Sequence, residues 1–92
     1  MIFVGYTSKM GRVDVESIES FKKNNDVEKV YVFCREEPAE ELKELVKDYE
    51  IVLTDRPYRS AKRFAKEIKA SGKRVMVVDL NDFGERAIRD VC

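Results

Sequence analysis

Four clusters of reactive side chains punctuate the sequence, each placed directly after a short apolar run: Thr7-Ser8-Lys9-Met10-Gly11-Arg12, Cys34-Arg35-Glu36, Thr54-Asp55-Arg56 and Asp79-Leu80-Asn81-Asp82. Hydroxyls, guanidinium groups and carboxylates of this kind can bind an anion, hold an oxygen-preferring cation or attack phosphorus. The chain has no His, so imidazole base catalysis, Ser-His-Asp triads and histidine metal sites are excluded.

Each cluster admits a more specific chemistry. Gly5 and Gly11 bracket Lys9, but five residues intervene and Arg12-Val13 follows, so the phosphate loop with four intervening residues and Lys-Ser/Thr is ruled out. Backbone N–H groups before a helix, together with Lys9 and Arg12, could still hold a phosphate; an ordinary connecting loop is the plainer reading. Asp55, Asp79 and Asp82 could meet as oxygen ligands for Mg²⁺, but helix capping is the expected role of Asp55 and of Asp82 or Asn81. No metal or other cofactor is expected. A Toprim-type or receiver site needs acidic residues at the end of the first strand, where this chain has Gly5-Tyr6. Arg35 could activate the Cys34 thiol, yet a Cys-x5-Arg phosphatase loop would need Arg where Glu40 stands. Cys34 and Cys92 are too far apart in sequence to resemble a disulfide framework or zinc cluster, and free thiols are expected.

The clusters need elements to position them. Ile2-Phe3-Val4-Gly5-Tyr6, Val30-Tyr31-Val32-Phe33, Ile51-Val52-Leu53 and Val75-Met76-Val77-Val78 are continuous, strand-forming apolar runs. Between them, Val15, Ile18 and Phe21 follow a helical spacing that closes at Asn24-Asn25-Asp26. Pro38 with Glu40 and Glu41 opens a second helix whose stripe is Leu42, Leu45, Val46 and Tyr49, and Ala61, Phe64, Ala65 and Ile68 mark a third, capped at Gly72. Phe83, Ala87, Ile88 and Val91 predict a last short helix over 82–91. The expected fold is one three-layer α/β domain: a four-stranded parallel sheet of order 2-1-3-4 with helices on both faces and right-handed crossovers. Ligands in such sheets meet the carboxyl ends of the strands where the winding reverses. On this order, Thr7 to Arg12 and Asp55 to Ser60 would end neighbouring central strands.

Ninety-two residues with 43% hydrophobic content support one modest core. No stretch reaches the length needed to span a bilayer and no secretory leader is recognisable, so no membrane partner and a cytoplasmic location are expected. The 39% charged content, with Trp, Gln and His absent, fits a thermophile-like surface of ion pairs. Net charge is zero but unevenly spread. Residues 55–74 carry eight basic side chains against two acidic ones, and residues 35–50 carry seven acidic against three basic. Lys62, Arg63, Lys66 and Lys69 lie off the apolar stripe and would attract a phosphate backbone or an acidic partner, including the acidic segment of a second copy in a homodimer.

The run Ile51 to Ser60, followed by a helix, Gly72 and the strand Val75 to Val78, resembles the catalytic domain of the serine recombinases (resolvase/invertase). Asp55, Arg56, Arg59 and Ser60 match that family's Asp-Arg-x-x-Arg-Ser. The resemblance implies a DNA partner, arginines that hold a phosphodiester, and a serine nucleophile in the first loop. Against the family's Tyr-x-Arg-x-Ser the chain reads Tyr6-Thr7-Ser8-Lys9-Met10, so a shift is needed to make Ser8 the nucleophile, and the first-loop arginine is then missing. What the resemblance implies is therefore a catalytically degenerate domain. Its candidate catalytic residue is Ser8, and its candidate phosphate or nucleic-acid contacts are Lys9, Arg12, Arg56, Arg59, Ser60, Arg63 and Lys66. The alternatives are a module for a phosphorylated or nucleotide-like ligand at Ser8, Lys9 and Arg12, and a non-catalytic homodimer domain.

Overall fold

A computed structural model of the chain describes residues 1–80 and the backbone of 88–89. The elements are β1 (Ile2–Thr7), α1 (Arg12–Asn24), β2 (Lys29–Cys34), a short 3-10 helix (Glu40–Leu42), β3 (Glu50–Leu53), α2 (Pro57–Ala70), β4 (Val75–Asp79) and β5 (Ile88–Arg89). All four apolar runs are strands, mutually parallel in one sheet, so the chain is an α/β fold.

The strand order differs from expectation. It is β3-β2-β1-β4-β5, with β5 antiparallel to β4. β1 is central, pairing Ile2 with Lys29 of β2 on one side and with Val75 of β4 on the other. β3 lies outside β2, pairing Ile51 with Val32. The first two crossovers step the same way along the sheet, and only the α2 crossover returns to the far side of β1. The reversal of winding therefore falls between β1 and β4, not between β1 and β3. Leu80 covers that point: it is buried, and a Cβ on Gly5 would stand 3.0 Å from Leu80 Cδ1. Glycine at position 5 is what allows the approach.

Side-chain alternation along the strands sorts the interior into two clusters. Phe3, Val30, Val32 and Val78 pack with Val15, Ile18 and Phe21 of α1 and with Val46 and Tyr49. Ile2, Val4, Tyr6, Phe33 and Val77 pack with Ala61 and Ala65 of α2. Small Ala61 and Ala65 let the α2 backbone lie close to the strands, and α2 makes its closest approaches to β1, β4 and β2. Aromatic side chains fill the wider gaps on that side, with Phe64 edge-on to Tyr31 at 4.6 Å between ring centroids. Gly72 follows the helix with φ +92°, the left-handed conformation that ends a helix at little steric cost.

The predicted second helix is corrected as well. Residues 38–49 form the 3-10 turn and further turns, closed by Leu42 N–H to Ala39 O at 2.9 Å and Tyr49 N–H to Val46 O at 2.9 Å. Leu42, Val46 and Tyr49 are buried as the stripe requires, but Leu45 is 48% exposed. Three apolar contacts from a short segment do not carry the cost of helix nucleation when turns bury the same side chains. Of the predicted last helix, Ile88–Arg89 are strand and the remainder lies outside the described residues. No helix among the described residues is long and apolar enough to cross a membrane.

Candidate functional site

The end of β3 is locked to β2 by Thr54 N–H donating to the Cys34 carbonyl at 2.8 Å. From there the Thr54 hydroxyl organises the turn into α2. Its Oγ1 accepts the Arg56 N–H at 3.1 Å and lies 3.0 Å from Ser60 Oγ. Pro57 is buried at the first turn of α2, where its missing N–H and fixed φ are no handicap. Asp55 was expected to cap α2, but Arg56 holds the N-cap position and no side chain bonds there. Thr54, one residue before Asp55, fixes the turn instead.

This turn and the adjoining face of α2 enclose an open cleft of 660 Å³ lined by Thr54, Asp55, Arg56, Arg59, Ser60, Arg63, Phe64 and Glu67. Positions 56, 60, 63, 64 and 67 fall on one side of a helix by their three- and four-residue steps. Arg56, Arg59 and Arg63 are exposed, and none of them makes an ion pair with any described residue. Lys66 is exposed on the same helix but does not line the cleft. On another side of α2, Lys62 Nζ stands 5.3 Å from the Tyr58 ring centroid, and Tyr58 packs on Tyr6 at 5.0 Å. The cleft thus offers three guanidinium groups, two hydroxyls, one phenyl ring and two carboxylates.

The first loop lies elsewhere. Lys9, Gly11 and Arg12 line a separate recess of 390 Å³ with Met10, Ala39, Glu41 and Leu42. Ser8 is exposed, and its carbonyl accepts N–H bonds from Arg35 at 3.0 Å and Glu36 at 3.1 Å. Gly11 N–H donates to Asp14 Oδ2 at 2.8 Å, which closes the start of α1. Burial raises the Asp14 carboxyl above its ordinary range and this hydrogen bond offsets part of the rise. Strand β2 stands between β1 and β3, so the ends of those strands are about 10 Å apart at the usual inter-strand spacing. The expected convergence of Thr7–Arg12 with Asp55–Ser60 on neighbouring strands does not occur. Of the candidates, Arg56, Arg59, Ser60 and Arg63 come together, Lys9 and Arg12 form a second group, and Ser8 lines neither cavity.

Position bears on two other readings. Asp55 follows β3 and Asp79 ends β4, with β2 and β1 between them, so these two carboxylates do not share a metal site; Asp82 lies outside the described residues. Cys34 is buried at the end of β2, and burial pushes its thiol pKa up, away from the thiolate that nucleophilic chemistry needs. Sequence reasoning placed Phe64 in the core stripe and treated Glu67 only as a charge. Their spacing from Ser60, four and seven residues on, is the signal that puts both in the cleft.

Comparison of the chain with family models, with curated proteins and with solved structures found no match.

Proposed function

We propose that this chain is a three-layer α/β module, with α1 and α2 on opposite faces of the sheet, that grips the phosphate backbone of DNA through Arg56, Arg59, Arg63 and Lys66. The observation that carries the reading is the cleft: three arginines without an ion pair to a described residue line one concavity at the start of α2. Guanidinium groups without an ionic partner among the described residues keep their donors for a phosphate, where each can engage two oxygens. The resemblance of Asp55-Arg56 and Arg59-Ser60 to the serine recombinase motif points to the same ligand. Binding without strand cleavage is the favoured form of the activity. A Ser8 nucleophile would have to reach a phosphate held beyond β2, with no arginine in its own loop before Arg12.

The test is DNA binding at two salt concentrations. Four cations on phosphates predict a loss of affinity of roughly a hundredfold between about 50 and 200 mM salt. The double variant Arg56→Ala/Arg59→Ala should weaken binding and flatten that dependence, while Ser8→Ala should leave it unchanged. A chain that binds no DNA at low salt would refute the reading.

A further inference from the structure

The cleft is not uniformly basic, and its mixture of groups narrows the ligand. Asp55 and Glu67 line it beside the three arginines, and Phe64 supplies a half-buried apolar wall braced by Tyr31 and by Phe33, 5.5 Å away between centroids. A surface that met only the continuous phosphate rail of a duplex would gain nothing from a phenyl wall and would be opposed by the carboxylates. A ligand that carries an anionic part and a neutral, donor-bearing, flat part fits every group present. Arg56, Arg59 and Arg63 match the phosphate, Phe64 matches the flat ring, and Asp55 and Glu67 match exocyclic amines or sugar hydroxyls as acceptors. The volume of 660 Å³ is in the range of pockets that enclose a small molecule.

We infer that the cleft seats one unpaired nucleotide, phosphate on the arginines and base against Phe64, so that its preferred ligand is single-stranded nucleic acid or a free nucleotide. This inference rests on the phosphate-binding reading and specifies it: the base must be out of the duplex, because a paired base is stacked inside the helix and cannot enter a concave site. Binding by this site tolerates many sequences, since every base offers a flat face.

The experiment compares three probes on the intact chain at low salt: a fluorescent single-stranded 12-mer, the same sequence as a duplex, and unlabelled AMP as competitor. Phe64→Leu keeps an apolar side chain but removes the ring, and circular dichroism confirms that the variant is folded before binding is read. The single strand should bind tighter than the duplex, and Phe64→Leu should weaken the single strand by on the order of fivefold or more while leaving the duplex unchanged. A photoreactive thymine analogue in the 12-mer should crosslink within α2, which provides a readout should Phe64→Leu fail to fold. AMP that displaces the 12-mer at concentrations near its own dissociation constant identifies a free nucleotide as the source; displacement only at large excess identifies the strand. Either result supports the inference. Duplex bound as tightly as single strand, with no crosslink in α2, overturns it and leaves backbone binding intact. Absence of binding to every probe overturns both.

Discussion

The loop that follows β1 and the loop that follows β3 contain similar side chains, a hydroxyl, a basic residue and a glycine or proline before a helix, yet their groups face different tasks. After β1, the Ser8 carbonyl ties down Arg35 and Glu36, Met10 is 1% exposed, and Asp14 closes on Gly11. The loop is an anchor between β1, β2 and α1. After β3, the Thr54 N–H ties the strand end to the Cys34 carbonyl, the Thr54 hydroxyl accepts the Arg56 N–H in the turn beyond it, and the arginines are exposed without a described ionic partner. A loop buttressed by its own backbone leaves little for a ligand. One braced by a side chain at its base leaves its remaining side chains available.

Substitutions in the two loops should therefore separate stability from binding. The largest effect is expected for Met10→Ala, which empties a buried site and should lower the unfolding free energy by about 3 kcal/mol in urea titration while DNA binding by the folded fraction persists. Loss of binding at full stability would erase the distinction. In the other loop, Thr54→Val removes the acceptor for Arg56 N–H and the partner of Ser60, and should cost about 1 kcal/mol with a visible loss of binding, since the turn that aims Arg56 is loosened. Arg63→Ala should change stability by no more than about 0.5 kcal/mol and reduce the salt dependence of DNA binding by about one phosphate.

Two smaller effects concern groups next to α1: Tyr49, which packs with its apolar residues, and Asp14 in its first turn. The Tyr49 hydroxyl donates to Glu19, and burial, followed by that bond and the negative charges of Glu19 and Asp48, raises the Tyr49 pKa well above its ordinary 10.0. An unfolded tyrosine ionises first, so this contribution is complete below pH 10.0 and is lost as pH rises through the folded value. Thermal melts across alkaline pH should show that decline in the natural chain and a flatter profile in Tyr49→Phe. The smallest change is expected for Asp14→Asn. Burial raises the Asp14 pKa above 3.8 in the folded chain, so its contribution is greatest below 3.8 and declines as pH rises through the folded value. Acid-range melts should show the slope reduced in the variant.

The strands were legible because each is an uninterrupted apolar run bounded by turn formers, and Gly72 was legible because a helix end needs positive φ there. Strand order was not, because pairing is non-local and Ile51-Val52-Leu53 looks like any other buried run. Its one clue was at the margins: β3 has four residues, begins at exposed Glu50 and ends at Leu53, which is 52% exposed, all traits of an edge strand. By contrast β1 is buried throughout. Arg56, Arg59 and Ser60 were grouped through the resemblance to Asp-Arg-x-x-Arg-Ser, and Arg63 through its place off the apolar stripe of the helix. The separation of this group from Lys9 and Arg12 was not legible, because it follows from where β2 lies. The 38–49 segment shows a third limit: its apolar spacing identified which side chains are buried, and the backbone meets that spacing with turns.

Because β4 joins the sheet beside β1, the two partners of the central strand arrive at very different times as the chain is made. Residue 29 follows residue 2 closely, but residue 75 comes only after β2, β3 and α2 are complete. Until then β1 has one bare edge, and the cluster of Ile2, Val4 and Tyr6 lacks Val77. Synthesis should pass through a long interval in which the middle of the sheet is open and sticky. A chain stopped at Arg74 should remain protease-sensitive and bind a hydrophobic dye, and supplying β4 should abolish both.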